Sequence, residues 1–526
     1  MKRREFMISS LSLGMGAVGL KGEAQEANDL FDKLPLEYDD ELPLKKAPKP
    51  TKPHIILIMS DQHRGDAIGC MGNKAVKTPN IDRLASDGTL FVCAYTDAPS
   101  STPARASLLT GMSPWHHGML GYGRVAEKYK YELPQMMRDL GYYTFGIGKM
   151  HWFPQHALHG FHGTLVDESG RSETPYFISD YRRLFQVNAP GKNPDKTEIG
   201  WNDHAASTYK LDERLHPTAW TGQMACELLK NYNDSRPLFL KVSFARPHSP
   251  YDPPERYLDM YKDVDIPKPA VGDWCGNFSK PKKPEDTARD AWYANLGDDY
   301  AVNSRRHYYA NITFIDDQIG KIIKILKDRE MYDDCIICYT ADHGDMLGDH
   351  YLWRKSYAYE GSSKIPFIIK WPSSIEAPKK KVCQPVALRD FLPTFLDIAG
   401  GKIPEDMDGR SLLPLAVESN PSWRKYLDFE HAVCYSPDNY WCALTDGVIK
   451  YIWFIHTGQE QLFDLGKDPH ELNDLSDDKK YAKKLLEMRQ EMIRHFEERG
   501  EGFVKDGKLV VRKDNMLYSP NYPKSE

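Results

Sequence analysis

The stretch His54-Ile-Ile-Leu-Ile-Met-Ser-Asp61 is an unbroken apolar run that ends in a polar pair. Consecutive apolar residues over so short a length are typical of a central parallel strand that is buried on both faces of a sheet. Similar runs occur at residues 144–147, 238–244, 335–340 and 365–369. We therefore predict that these segments are strands of one sheet.

Helical patterns fall between the predicted strands. Thr78-Pro79 opens a helix that runs through Leu84, and Gly88 ends it. Isoleucine and leucine recur every three or four positions between residues 312 and 326. Strands that alternate with helices predict an α/β fold with a large mixed, mostly parallel sheet flanked by helices. Ligands of such sheets bind at the carboxyl ends of the strands.

The chain changes character after Leu415. Residues 441–465 have the pattern of short strands and turns, and a charged helix is expected from about 479 to 498, with Met488, Met492 and Phe496 inward. We predict a main domain and a smaller C-terminal α+β domain, with the boundaries 53–420 and 421–526.

The first residues are predicted to be a signal peptide, residues 1–25, because three basic residues precede an apolar and small-residue stretch. The Arg3-Arg4 pair fits twin-arginine export as well as an ordinary Sec signal. The stretch is too short to span a bilayer, so no stable membrane insertion is expected. A linker or surface arm follows over residues 26–52. We expect a periplasmic or secreted protein.

Composition excludes some classes of function. The 526 residues include 69 basic and 75 acidic side chains, a net charge of −6, and no long basic run, so nucleic acid is not an expected partner. The nine cysteines are odd in number and scattered, unlike a disulfide framework. Cys335 and Cys338 have CxxC spacing, but positions i and i+3 of a strand point to opposite faces, which argues against a redox or metal pair.

The segment Ser101-Thr-Pro-Ala-Arg-Ala-Ser-Leu-Leu-Thr-Gly111 is the first candidate site. Pro103 in the first turn places Ser101 at a helix N-terminus, where free N–H groups favour an anion. Arg105, one turn later, can point to the same place. The pattern indicates a site for a tetrahedral oxyanion, although a helix-capping serine followed by a solvated arginine is an alternative interpretation.

Two polar pairs follow predicted strands. Asp61-Gln62 ends the first strand, and Asp342-His343 follows the strand at 335–340. Carboxylates at neighbouring strand ends supply the hard oxygen ligands that calcium and magnesium prefer. Gln62 offers an oxygen without a charge, and His343 is a softer donor. The alternative interpretation is that both aspartates merely form turns.

The segment at 101–111 resembles the signature of the type I sulfatases, members of the alkaline-phosphatase-like superfamily: Cys or Ser, any residue, Pro, a small residue, Arg, and a Thr-Gly ending. In that family the Cys or Ser is oxidised to formylglycine (3-oxoalanine), whose hydrated aldehyde is the nucleophile. Residues from about 53 to 475 follow the family's order of motifs. With Ser101, the chain is similar to the serine-type enzymes of anaerobic bacteria, which implies a radical formylglycine-generating maturase as partner.

The resemblance also implies roles for single residues. A Ca²⁺ ion, or Mg²⁺ as an alternative, would be held by Asp61, Gln62, Ser101, Asp342 and His343. The implied catalytic residues are Ser101, Arg105, Lys149, His151, His248 and Lys355. In this assignment Lys149 holds the sulfate and the nucleophile, and His151 is the base. His248 and Lys355 contact the ester oxygen and the sulfate, and one of them, His248 in preference, protonates the leaving oxygen. Lys149-Met-His151 follows a predicted strand, and i, i+2 spacing in an extended segment would place both side chains on one face.

The implied activity is that of a sulfuric ester hydrolase acting on a sulfated saccharide, for example a glycosaminoglycan-type fragment. An aryl or choline sulfatase, or a phosphonate monoester or phosphodiester hydrolase of the same superfamily, is the alternative. A non-catalytic glycan-binding protein on this scaffold is a third interpretation, but every catalytic position here carries a competent residue. Four tryptophans are candidates for stacking on sugar rings, namely Trp152, Trp201, Trp274 and Trp353. Four further histidines are expected at the surface, namely His63, His116, His117 and His350.

Overall fold

The computed structural model describes residues 44–172, 174–197 and 199–524. The predicted signal peptide and residues 26–43 of the predicted linker lie outside the described residues. The end of that linker lies against the main domain: the Lys45 carbonyl accepts a hydrogen bond from the Arg329 guanidinium at 2.9 Å, and the Ala47 N–H donates to the Arg329 carbonyl at 3.1 Å.

The strands of the described chain are β1 (His54–Asp61), β2 (Thr89–Phe91), β3 (Ala94–Tyr95), β4 (Tyr143–Gly148), β5 (Gly163–Val166), β6 (Leu238–Pro247), β7 (Cys335–Ala341), β8 (Phe367–Lys370), β9 (Lys381–Val382), β10 (Val386–Ala387), β11 (Leu427–His431), β12 (Trp441–Thr445), β13 (Ile449–Phe454), β14 (Glu460–Asp464), β15 (Val504–Lys505) and β16 (Lys508–Leu509).

The main sheet has eight strands in the order β5-β4-β6-β1-β7-β8-β2-β9. The five strands from β5 to β7 are parallel, whereas β8 runs antiparallel to β7 and β2 antiparallel to β8. All of the predicted strands belong to this sheet, and the predicted mixed, mostly parallel α/β class is confirmed. β1 lies at its centre, with Ile56 paired to Leu240 on one side and Ile337 on the other.

The α-helices are α1 (Pro79–Asp87), α2 (Ser101–Thr110), α3 (Pro114–His117), α4 (Leu133–Asp139), α5 (Asp180–Asn188), α6 (Pro217–Asn231), α7 (Glu255–Asp259), α8 (Asp298–Asp328), α9 (Glu360–Ser363), α10 (Phe391–Ile398), α11 (Leu413–Val417) and α12 (Ala482–Phe496). None of the helices in the described ranges combines the length and the apolarity that crossing a bilayer requires.

Helices cover both faces of the main sheet because its central strands are apolar at every position. Ile55, Leu57 and Met59 pack against α2, α4 and α10, whereas Ile56 and Ile58 pack against α1, α6 and α8. Each fully buried side chain of this kind stabilises the fold by about 1.5–3 kcal/mol. The two layers hold the strands of the sheet, and therefore their carboxyl ends, in fixed positions.

The C-terminal region contains a four-stranded antiparallel meander, β11-β12-β13-β14. One face packs on α12, where Met488, Met492 and Phe496 are buried as predicted. The other face packs on the main domain. Its Phe429 and Trp441 lie in one apolar cluster with residues of β3 and with the residues that directly precede α9. The predicted C-terminal α+β part is confirmed, and its sheet reaches the edge of the candidate site described below.

Cys335 and Cys338 lie on opposite faces of β7, as their spacing in a strand predicts. Cys335 packs in the layer with α6 and α8, and Cys338 packs in the layer with α2 and α10. Both are free and buried. Burial raises the pKa of each thiol above its ordinary value, so neither is disposed to act as a thiolate ligand or nucleophile.

Candidate active site

The candidate residues meet because four neighbouring parallel strands end at the same edge of the sheet. β1 ends with Asp61, β7 is followed by Asp342, β6 is followed by His248, and β4 is followed by Lys149. In the sheet these strands lie in the order β4-β6-β1-β7. Residues that are far apart in the sequence are therefore brought together by the strand order alone.

Ser101 is the first residue of α2, and Ser100 is its extended N-cap. Every residue of this helix is buried. The Ser101 hydroxyl oxygen lies 3.1 Å from Nε2 of His343. Ser100 contacts the C-terminal sheet instead, because its hydroxyl lies 2.7 Å from Nε2 of His431 at the end of β11. The helix start is thus fixed from both domains.

Asp61, Asp342 and His343 form a cluster that can hold a cation. One ligand atom from each of the three buried residues lies within 4.8 Å of the others. The Oδ1 atom of Asp61 is buried and has no hydrogen-bond partner in the described chain. His343 donates its Nδ1–H to the Gly344 carbonyl at 2.9 Å, which leaves the Nε2 lone pair free for a metal. Two carboxylates and a neutral imidazole fit a divalent cation.

Arg105 and Lys149 keep the carboxylates charged. The Arg105 guanidinium donates to Asp342 at 3.0 Å and to Asp61 at 3.1 Å, and the Lys149 ammonium pairs with Asp61. Burial by itself raises the pKa of the Asp61 carboxyl, but the neighbouring positive charges, Lys149 foremost, hold that pKa well below its ordinary value. Asp61 is therefore an anion near neutral pH, as a metal ligand must be.

Arg105 occupies a different place from the one expected. Its side chain is fully buried, and its remaining N–H groups donate to the Lys149 carbonyl and, at 3.0 Å, to the Ser243 hydroxyl. It does not line the cavity above Ser101. The neighbouring aspartates attract the guanidinium more strongly than solvent or a cavity does. Arg105 therefore positions Asp61 and Asp342 and is neither solvated nor directed at the cavity.

Gln62 connects the metal cluster with Lys355. Its backbone N–H donates to Oδ1 of Asp342 at 2.9 Å, and its side-chain Oε1 accepts a hydrogen bond from the Lys355 ammonium at 2.8 Å. Its amide N–H donates to Asp345, a residue that no motif of the sequence indicated. The side-chain oxygen of Gln62 that was predicted to bind the metal is therefore bonded to the Lys355 ammonium in this structure.

Lys149 and His151 both line the cavity, but the reason predicted from an extended segment was wrong. β4 ends at Gly148, whose φ is +91°, and a Cβ there would collide with the Ser243 carbonyl oxygen. His151 also has a positive φ, 62°. The segment is therefore not a continued extended strand. The Glu168 carboxylate holds it by accepting hydrogen bonds from the His151 and Met150 N–H groups at 2.9 Å each.

His248 and Lys355 are directly hydrogen-bonded. His248 donates its Nδ1–H to the Ser249 carbonyl at 2.8 Å, so its Nε2 accepts from the Lys355 ammonium, 2.6 Å away. Burial, and then the Lys355 charge, lower the pKa of His248 well below its ordinary value, and burial lowers the pKa of Lys355 to about 7. The His248 ring is thus neutral near pH 7, and its Nε2 atom accepts a hydrogen bond from the Lys355 ammonium.

A cavity of about 210 Å³ opens above these groups. It is lined by five of the candidate residues, Ser101, Lys149, His151, His248 and Lys355. Its other walls are formed by Ser100, Tyr122, Ser169, Arg171, Trp201, Asn202, Arg354, Ser356, Cys434 and Tyr435. These wall residues lie on loops of both domains, and among them only Trp201 was identified from the sequence.

The aromatic and histidine expectations hold only in part. Of the four tryptophans proposed for stacking, only Trp201 lines the cavity, whereas Trp152 and Trp353 are core residues. The surface location expected for four histidines was wrong for the three that the structure buries, namely His63, His117 and His350. His63, for example, hydrogen-bonds the Tyr339 hydroxyl at 2.6 Å. The burial of these histidines depends on residues that are distant in the sequence, so the residues next to each histidine do not predict it.

Known proteins are similar in sequence to this chain over nearly its whole length. The sulfatase family profile, described as "Sulfatase", matches residues 53–401, and a second profile, "N-sulphoglucosamine sulphohydrolase, C-terminal", matches residues 348–498. The arylsulfatase of Clostridium perfringens is 38% identical over 474 residues, which cover 87% of this chain and 97% of that protein. The N-acetylglucosamine-6-O-sulfatase of Bacteroides thetaiotaomicron is 25% identical, with coverages of 84% and 85%.

A solved structure has the same fold. The phosphonate monoester hydrolase of Agrobacterium radiobacter superposes with a TM-score of 0.70 at 23% identity and covers 88% of this chain and 100% of its own. The profile that spans most of the chain, together with the match to the clostridial enzyme, shows the family. The chain belongs to the sulfatase family and is a sulfuric ester hydrolase.

Proposed function

We propose that this sulfatase releases sulfate from a sulfated saccharide, such as a glycosaminoglycan-type fragment, with a formylglycine formed from Ser101. The observation that carries the proposal is the position of the Ser101 hydroxyl, at a helix N-terminus, in a cationic cavity and 3.1 Å from a histidine of the metal cluster. A sulfate ester is a tetrahedral anion, and this is the environment that stabilises one.

The residues present fit both groups that the family resemblance implies. Asp61 has an unpartnered buried carboxylate oxygen, and His343 presents an Nε2 lone pair that faces the Ser101 hydroxyl at the cluster. A bound Ca²⁺ would add positive charge beside the reacting oxygens, and a formylglycine at position 101 would supply an aldehyde hydrate as nucleophile. If His343 is engaged as a ligand, a plain Ser101 hydroxyl has no base left to activate it, which favours the oxidised side chain.

The sulfate-binding role falls to the two lysines that line the cavity. Lys149 and Lys355 each place an ammonium group at the cavity wall, from the segment after β4 and from the loop after β7. Lys355 already donates to Gln62 and to His248, so its position is fixed before a ligand arrives. Fixed cations stabilise the charge of the transferring sulfate without reorganisation.

His248 is placed to protonate the leaving oxygen. The Lys355 ammonium donates to its Nε2 atom, so the pair holds a shared proton at the cavity wall that can pass to a departing alkoxide. His151 serves as the base. Burial, and then the Arg171 charge, lower its pKa, so the ring is neutral, and its buried Nδ1 has no partner in the described chain.

A saccharide is the preferred substrate class because aromatic rings line the entrance. Tyr122, Trp201 and Tyr435 belong to the wall of the cavity, and aromatic rings pack well on the apolar faces of sugars. The Bacteroides thetaiotaomicron relative is named for a sugar sulfate, and one matching profile for a sulphoglucosamine hydrolase. The clostridial relative is named an arylsulfatase, which keeps an aryl substrate in the test below.

The test uses Ser101→Cys protein co-expressed with a formylglycine-generating enzyme, with loss of mass at residue 101 confirmed by mass spectrometry. Sulfate release is measured from a panel of sulfated mono- and disaccharides, an aryl sulfate, choline sulfate and a phosphonate ester. Release from a saccharide supports the proposal, whereas turnover of the phosphonate ester alone assigns the chain a different chemistry. Ser101→Ala is the matched control, which should bind the saccharide without turnover.

A second experiment tests the maturation. The native chain is produced with and without a radical maturase of the serine type under anaerobic conditions, and the peptide that contains Ser101 is analysed by mass spectrometry. We expect loss of two hydrogen atoms only with the maturase, and turnover in proportion to the modified fraction. Full activity of a wholly unmodified preparation would rule out this mechanism. The proposed export to the periplasm is tested separately, by cell fractionation of the full-length chain.

A further inference from the structure

We propose that the cavity contains a second anion site, formed by Arg354, and that the substrate carries a second negatively charged group, a carboxylate or another sulfate, near the scissile ester. The inference rests on the proposed function, because it takes Lys149 and Lys355 to bind the scissile sulfate. It extends that function by specifying the charge of the rest of the substrate.

The balance of charge at the cavity wall is the first observation. Four cationic side chains line it, and no aspartate or glutamate of the described residues does. Two of the cations are already paired: Lys149 with Asp61, and Arg171 with Glu168 at 3.1 Å. A sulfate monoester brings a single negative charge. Arg354 is therefore a positive charge in addition to the two lysines that take the scissile sulfate, and one ester does not neutralise it.

Arg354 is the cation that remains without a partner. No carboxylate of the described residues lies within ion-pair distance of its guanidinium, whose one hydrogen bond to the protein goes from Nη1 to the Asp290 carbonyl, at 3.0 Å. Its Nε–H is buried and has no acceptor in the described part of the chain. Within the described residues the protein thus uses a single donor of this guanidinium, and an anion in the cavity can accept hydrogen bonds from the terminal N–H groups that remain.

The guanidinium is also held in a fixed orientation. Its central carbon lies 4.5 Å from the centroid of the Tyr435 ring, which itself lines the cavity. The backbone of Arg354 has a φ of +69°, uncommon for a residue with a side chain, and its carbonyl is anchored by the Met346 N–H at 2.7 Å. A planar donor group fixed in this way suits carboxylate or sulfate oxygens, which accept two parallel hydrogen bonds.

The same arrangement disfavours the other substrates. A quaternary ammonium such as that of choline would meet Arg354 with no acidic residue on the wall to offset the repulsion. A simple aryl sulfate would leave the Arg354 charge unneutralised. Arg354 would therefore select substrates by a negative charge other than that of the scissile sulfate. This role is distinct from the roles of the residues that perform the reaction.

Equilibrium binding tests the site without relying on turnover. The unmodified Ser101 protein is titrated calorimetrically with a monosulfated N-acetylglucosamine, its disulfated form, and a disaccharide that joins the monosulfated sugar to glucuronate. We expect at least one dianionic ligand to bind about tenfold more tightly than the monosulfated sugar. Which dianion gains affinity distinguishes a second sulfate from a carboxylate, and either result supports the site.

Variants assign the effect to Arg354. Arg354→Gln should abolish the advantage of the dianion and leave binding of the monosulfated sugar within about twofold, and Arg354→Lys should restore part of it. Arg138→Gln, at an exposed arginine of α4, is the matched control and should change neither ligand. Equal binding of all three ligands, no binding of any, or equal losses for every ligand in Arg354→Gln would overturn the proposal. Melting temperatures of the variants verify that they are folded.

Turnover separates this proposal from the proposed function. The formylglycine-bearing enzyme is assayed with the same three sugars, and kcat/KM should show the preference seen in binding. If none of the sugars loses sulfate while the dianion still binds preferentially through Arg354, the proposed function fails and the second anion site stands. If all are cleaved at rates independent of residue 354, the proposed function stands and the second site fails.

Discussion

The Nε2 atom of His343 lies 3.1 Å from the hydroxyl oxygen of Ser101. Because Nδ1 of the same ring donates to the Gly344 carbonyl, Nε2 presents a lone pair toward both the proposed nucleophile and the carboxylates of Asp61 and Asp342. His343 thus occupies the place where the metal cluster and the start of α2 meet. Replacing His343 should therefore weaken cation binding more than it destabilises the fold.

His343→Ala is expected to weaken Ca²⁺ binding about tenfold or more, since it removes one of the donors of the cluster. His343→Asn restores an oxygen donor, which calcium prefers to nitrogen, and should retain most of the affinity. Calorimetric titration with Ca²⁺, or the rise in melting temperature on adding Ca²⁺, measures the difference. His431→Ala removes a neighbouring buried histidine outside the cluster and serves as the control. Unchanged Ca²⁺ affinity in His343→Ala would exclude the residue as a ligand.

His248→Ala should impair the enzyme in proportion to the basicity of the leaving group. A sugar alkoxide needs a proton as it departs, whereas 4-nitrophenolate leaves readily without one. General acid catalysis contributes about 10²–10⁴-fold, so kcat should fall by about that factor for a sugar sulfate and far less for 4-nitrophenyl sulfate. Kinetics with both substrates on the formylglycine-bearing enzyme provide the measurement. Equal losses for both would assign His248 to sulfate binding instead.

The centre of the site was predictable because its parts follow apolar strands. Asp61, Lys149, His248 and Asp342 each come directly after a run that can only be a buried strand, and parallel strands end at one edge. The same reasoning gave the sheet and both helical layers. The order of these strands in the sheet was not predicted, and the resemblance to the sulfatases was needed to assign Lys149 and His248 to the site.

The surroundings of the site were not predictable for a physical reason. Arg105 was expected at the anion, but ion pairs with two buried carboxylates from other strands hold it behind them. Arg171 and Arg354 lie on loops, where no periodicity indicates which side chain faces the cavity. Contacts of this kind form between segments that are distant in the sequence, so the local sequence pattern does not predict them.

Glu168→Gln should lower kcat while leaving the fold intact. The Glu168 carboxylate accepts the N–H groups of the segment that carries His151 and pairs with Arg171 at 3.1 Å, so it positions the proposed base. An amide keeps one acceptor oxygen but loses the charge that holds Arg171. We expect about a tenfold loss of kcat and a shifted pH profile, since His151 would then face an unpaired guanidinium. A loss that appears only in melting temperature, with kcat and its pH profile unchanged, would reduce Glu168 to a structural role.

His116 should make stability depend on pH above neutrality. Its ring lies between two carboxylates, 2.8 Å from Asp408 and 3.0 Å from Glu498. The hydrogen bond to Asp408 is the main cause that raises the pKa of His116 from 6.5 to about 9. The charged form is therefore favoured in the folded state. Its contribution to the free energy of unfolding is fully present below pH 6.5 and is lost as the pH rises through 9.

We accordingly expect His116→Gln to cost about 1 kcal/mol at pH 6, a figure that allows for solvent screening of a partly exposed ring, and almost nothing at pH 10. Urea unfolding of both proteins across this range gives the difference directly. Asp408→Asn should reproduce the trend, because it removes the main partner of the imidazolium. His456→Gln, at a half-buried histidine that contacts backbone carbonyls and no carboxylate, is the control. A destabilisation by His116→Gln that is equal at pH 6 and pH 10 would show that packing, and not the charge, is what the ring contributes.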